Sequence, residues 1–195
     1  MTKWIAHYGI SVKEIDEIRD FSFRQFLDVC WPYVDYFTFS SCRDDSISEE
    51  RRYGNFCELK KELTPFFAGR TIRNEWFGYG FSSRKEAEMC IYQYKASEEA
   101  KEAILSCYRD LFLHFPIDKP SVKFLRRFDD LCLFSQGKLF YGSICHEHEA
   151  FLYPLTIQMR SIVTSLGKWI PCEWRDENDR RNIHKYNWTD EPSPR

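Results

Sequence analysis

The stretch from Asp129 to Tyr153 constrains this chain more than any other. Leu131–Phe134 and Leu139–Ser143 are short runs of β-forming, apolar residues, and only Ser135-Gln136-Gly137-Lys138 separates them. A glycine-containing link of that length closes a β-hairpin, whereas a parallel pair needs a crossover of a dozen residues or more. His146–Glu149 reads as the next turn and Ala150–Tyr153 as a third strand, so the region predicts an antiparallel meander.

The rest of the chain supplies both helices and strands. Ser11 and Glu14 form a capping-box pair ahead of Ile15 and Ile18, which predicts a short helix. Phe23, Phe26, Leu27, Cys30 and Trp31 fall on one helical stripe that Pro32 ends. Val34–Phe39 is rich in β-formers. Glu49–Leu63 reads as a helix interrupted at Gly54, and Phe66–Ala68 and Thr71–Trp76 as two short strands among glycine turns. Glu88–Lys95 is read as a strand on its Met-Cys-Ile-Tyr-Gln-Tyr core, although Ser83 and Glu86 ahead of it form a capping-box pair that favours a helix. Ser97 then caps an acidic first turn, with Ala100, Ala103, Ile104, Cys107 and Leu111 as its apolar stripe. Thr156–Leu166 is a final helix with Gly167 behind it. Hairpin links outnumber βαβ units. The expected fold is α+β, a mainly antiparallel sheet with helices packed against it. One domain is expected over residues 1–172, followed by a polar, loosely held tail over 173–195.

Composition narrows the class. At 195 residues, 43% of them hydrophobic and 17% aromatic, the chain has the means to build a core without covalent staples. A net charge of −2 from 28 basic and 30 acidic residues gives no push toward nucleic acid or an anionic membrane. No apolar run approaches the length of a membrane span, and Met1–His7 is too short in apolar residues for a signal peptide, so the cytoplasm is the expected compartment. The eight cysteines form no CxxC pair and several lie in apolar runs; they are expected to be reduced.

Motif chemistry is sparse. GxGxxG, GxxxxGK[ST] and GxSxG are all absent, so no catalytic residue is assigned. His146 and His148, in Cys145-His146-Glu147-His148-Glu149, are two potential metal ligands lacking an obvious third; no cofactor is expected. Arg126-Arg127 and Arg180-Arg181 stand near aromatics. Asp129 and Asp130, and Asp176, Glu177 and Asp179, cancel them locally, which disfavours a nucleic-acid groove. Asp44, Asp45, Glu49 and Glu50 could form an acidic surface toward a basic partner. Trp76, Phe77, Tyr79 and Phe81 lie among three glycines, where turns tend to reach the surface; these rings are candidate anchors for a partner.

The segment from Asp129 to Glu147 resembles a late hairpin in small bacterial immunity proteins, the cognate inhibitors of contact-dependent or polymorphic toxins. The likeness is confined to that segment and carries over no residue roles. It implies a cytoplasmic protein-binding module that neutralises a toxin stoichiometrically, with a basic toxin domain as the kind of partner. Two alternatives stay open: a small enzyme using His146 and His148, with or without a metal, and a nucleic-acid-associated protein.

Overall fold

The computed structural model describes residues 7–11, 18–42, 57–80, 89–112, 128–145, 147–172 and 178–186. Eight strands form one sheet: β1 (His7–Ser11), β2 (Tyr36–Cys42), β3 (Phe67–Arg73), β6 (Met89–Lys95), β7 (Asp129–Ser135), β8 (Lys138–Ile144), β9 (Glu149–Leu152) and β10 (Ile170–Cys172). Their order across the sheet is β10-β1-β9-β8-β7-β2-β6-β3, and every pairing is antiparallel. Two more strands, β4 (Glu75–Trp76) and β5 (Tyr79–Gly80), make a separate small hairpin. Among the described residues there are four α-helices, α1 (Phe21–Cys30), α2 (Cys57–Leu63), α3 (Glu98–Cys107) and α4 (Ile157–Leu166). This is the α+β architecture that the meander and the helical stripes predict. Among the described residues no helix is long and apolar enough to cross a membrane.

The helices form where the side chains allow. In α1 the stripe Phe23, Phe26, Leu27 and Cys30 is fully buried, and Pro32 sits in the 3-10 turn Trp31–Tyr33 that ends it. Ser97 accepts the Ala100 N–H at 3.1 Å and Thr156 accepts the Met159 N–H at 3.0 Å, so α3 and α4 both begin on a side-chain cap. Arg24 makes a two-pronged ion pair with Glu102, and Lys101 reaches Asp28 at 2.7 Å; these contacts tie α1 to α3.

Strand alternation sends each sheet residue to one of two covered faces. Phe37, Phe39, Tyr92, Tyr94, Leu133, Tyr141 and Leu152 lie under the helices. Phe37 stacks on Tyr94 at 5.3 Å and Phe39 on Phe128 at 4.9 Å, and Trp31 meets Phe37 at 5.4 Å. Met89, Ile91, Cys132, Phe134, Leu139, Ile144 and Phe151 form the opposite face, which the β4–β5 hairpin and residues 178–186 cover.

Ser11 pairs with Glu149 at the end of β1, and the start of the helix expected behind it lies outside the described residues. Two sequence expectations change. Phe66–Ala68 and Thr71–Trp76 are not two strands divided by Gly69. β3 runs through that glycine on a bulge between Phe67 and Gly69, because β6 offers a continuous ladder. The region over 173–195 is not uniformly a loose polar tail. Within it, Ile183 and Tyr186 are buried on the second face, and main-chain bonds run from Gly78 N–H to the Arg180 carbonyl and from Leu139 N–H to the Tyr186 carbonyl. Two apolar side chains in a polar stretch are enough to hold it down once a bare sheet face is available.

Candidate functional site

The aromatic cluster singled out in the sequence is not an exposed patch. Trp76 is 2% and Phe77 0% exposed, and Tyr79 is half-buried. Phe77 meets Phe151 and Tyr186 edge to face, both at 5.8 Å, and Trp76 meets Tyr186 at 5.6 Å. The neighbouring glycine acts by removing bulk rather than by raising the loop to the surface. Gly78 has φ +77°, and a Cβ there would stand 2.6 Å from Ile144. Across the interface Gly142 does the same: a Cβ on it would meet the Phe77 ring at 2.5 Å. Phe81, Asp44, Asp45, Glu49, Glu50 and His146 lie outside the described residues.

The hairpin closes over a polar cluster that no motif announced. Asp130 is 0% exposed and has φ +56°, which turns the first residues of β7 out of the regular ladder. Its Oδ1 accepts the Cys145 N–H at 2.7 Å and its Oδ2 the Ser40 hydroxyl at 2.7 Å, and the Tyr79 hydroxyl from β5 donates to the same carboxylate. In return the Asp130 N–H reaches the Cys145 Sγ at 3.2 Å. These two residues clasp the β7–β8 hairpin beyond its last ladder pair, Cys132 with Gly142. Burial raises the Asp130 carboxyl to about 6, against the pull of its hydrogen bonds to Cys145, Ser40 and Tyr79. The sequence places Asp130 just ahead of the β-forming run that starts at Leu131, where an acid reads as a solvated strand end cancelling Arg126-Arg127.

Around the His146–Glu149 turn, His148 is half-buried with φ +54° and its ring lies 5.5 Å from Phe112. Glu149 faces Arg181 at 3.7 Å, and burial lifts its carboxyl. Among the described residues no group of three or more His, Cys, Asp or Glu is arranged to hold a metal ion. Cys30, Cys90, Cys107, Cys132, Cys145 and Cys172 are free thiols; burial pushes Cys30 and Cys132 far above the usual thiol range.

Among the described residues, the strands at the two ends of the sheet differ. β10 has three residues and includes Pro171, which has no N–H to offer. β3 has seven, and it carries Phe67 at 49% and Ile72 at 41% exposure with exposed Arg70 between them. Phe67 lies opposite Tyr94, Arg70 opposite Tyr92 and Ile72 opposite Cys90, so all three share the helix-covered face. Phe67 meets Tyr94 edge to face at 5.7 Å, and Lys60 of α2 stands 5.5 Å over Tyr92. Arg73, on the other face, covers the Trp76 ring at 5.6 Å. No family model, no curated protein and no solved structure matches this chain.

Proposed function

We propose that this chain is a protein-binding module and, more narrowly, an immunity protein that neutralises a bacterial toxin by stoichiometric binding in the cytoplasm. The observation that carries the reading is the β3 edge. A sheet edge with apolar side chains flanking an arginine matches what interface centres contain, namely rings, aliphatic groups and Arg. A strand that ends a sheet can also accept a partner's strand through its main chain. Phe67 already leans on Tyr94, so ordering it on binding would cost little side-chain freedom. Charge refines the partner. A basic toxin domain was expected from acids that lie outside the described residues, whereas Arg70 and Arg73 on β3, with Lys60 beside them, suit an extended segment bearing acidic residues.

The test is co-expression with the product of a neighbouring toxin-like gene. Growth rescue and a 1:1 complex on gel filtration are expected. A Phe67→Ala/Arg70→Glu double variant should keep its fold by circular dichroism and lose at least about a hundredfold in affinity, on the order of 3 kcal/mol. A complex that forms unchanged with the double variant rules out β3 as the interface. Catalytic turnover by the purified chain, with no partner bound, overturns the module reading itself.

A further inference from the structure

We propose that Asp130 is a proton-operated clasp that sets how firmly the β4–β5 hairpin is shut over the second face of the sheet. The geometry supports this on three counts. The carboxylate is completely enclosed, yet the groups contacting it are dipoles: the Cys145 N–H from the end of β8, the Ser40 hydroxyl from β2 and the Tyr79 hydroxyl from β5. Among the described residues no Lys, Arg or His forms an ion pair with it. One of its donors, the Tyr79 hydroxyl, belongs to the hairpin itself, so lifting the hairpin both breaks a contact to Asp130 and opens a path for water.

Among the described residues, the titratable groups that interact with it are Cys145 beside the β8 end, Tyr79 on β5 and Cys132 on its own strand. None of the three carries a positive charge in either protonation state, so none compensates a buried anion. An ionised Asp130 under the closed hairpin therefore lacks a counter-charge among the described residues, and a raised hairpin lets it hydrate. Protonation removes that incentive to open. The neutral acid keeps the Cys145 N–H as donor to its carbonyl oxygen, and the Ser40 hydroxyl can rotate to accept the new proton. The sign follows: the closed form binds the proton more tightly than the open form, so the hairpin is shut more firmly on the acid side and loosens as pH rises through the Asp130 titration.

Amide hydrogen exchange read by mass spectrometry on peptides spanning 75–80, corrected for intrinsic rates, tests the clasp. Protection of this segment should fall about tenfold between about pH 5 and pH 7.5, while peptides from β2 and β6 fall less. Asp130→Asn should flatten the profile. Ser40→Ala removes one donor to the carboxylate and should move the midpoint of the wild-type profile upward; it serves where the Asn variant does not fold. A flat wild-type profile, an unchanged slope in Asp130→Asn, or an unmoved midpoint in Ser40→Ala would each overturn the proposal.

Discussion

The two faces of the sheet are built on different principles. On one, four helices cover a continuous lattice of rings in which Phe37 alone meets Trp31, Phe39 and Tyr94. Each side chain there has several partners, and the cover is made of regular elements capped by Ser97 and Thr156. On the other, a six-residue hairpin and the 178–186 segment do the covering, and the fit depends on single features: Phe77 against Gly142, Ile144 against Gly78, Tyr79 on Asp130. The lesson is that a face covered by irregular segments is closed by a few specific contacts, whereas a face covered by helices is closed by many interchangeable ones. The first kind opens locally; the second fails only with the whole molecule.

This contrast can be broken from either side. The largest effect is expected at the ring lattice: Phe37→Ala should lower global stability by about 4 kcal/mol in denaturant titration, with the transition still cooperative. A loss under about 1 kcal/mol would mean that the lattice does not carry the fold. Next comes Asp130. Its carboxyl lies at about 6 when folded and near 3.8 when unfolded, so its favourable contribution is fully present below about pH 4 and is lost as pH rises through 6. Against wild type, Asp130→Asn should therefore gain relative stability from pH 4 to pH 8, on the order of 3 kcal/mol. A difference that does not vary with pH would remove the buried charge from the account.

Gly142→Ala should cost about 2 kcal/mol, because the Phe77 ring must leave its place, and hydrogen exchange should rise in the hairpin before it rises in the helices. If the helices exchange equally fast, the two faces are not separable. The smallest effect belongs to the exposed Arg24–Glu102 pair, with 44% and 53% of the side chains accessible: a double-mutant cycle should return about 0.5 kcal/mol, diminishing with salt.

Periodicity made most of the helix-covered side legible. The stripe from Phe23 to Cys30, the Ser97 cap and the hairpin around Gln136-Gly137 all follow from spacing and turn chemistry that act over a few residues, while the strand at Met89–Lys95 competed with a helix signal at Ser83 and Glu86. The second face was not legible, for a reason that is also local. Trp76 and Phe77 sit between glycines, and a glycine beside a ring is compatible with an exposed turn or with a ring pressed against a facing backbone. Only the register that brings Gly142 beneath Phe77 decides between them. Likewise Ile183 and Tyr186 are too few to give a period, and Asp130 needed the positions of Ser40, Tyr79 and Cys145, residues remote in the chain. The β3 edge was equally hidden, since strand order is a property of the assembled sheet.

The place of β1 has a consequence for the order of assembly. Tyr8 pairs with Leu152 on one side and with Pro171 on the other, so this strand meets both neighbours only after synthesis has passed residue 172. The β7–β8–β9 meander, by contrast, joins partners across loops of a few residues and can form as soon as it is synthesised. Closing a loop of that span is paid for in entropy before any contact rewards it, which places β1 docking late and makes it slow. Until then β9 presents an unpaired edge to the surroundings, and a chain interrupted before residue 149 keeps β1 without either partner. Chaperone dependence and aggregation during synthesis should therefore be governed by the time between the emergence of β9 and the capture of β1, rather than by the final stability of either face.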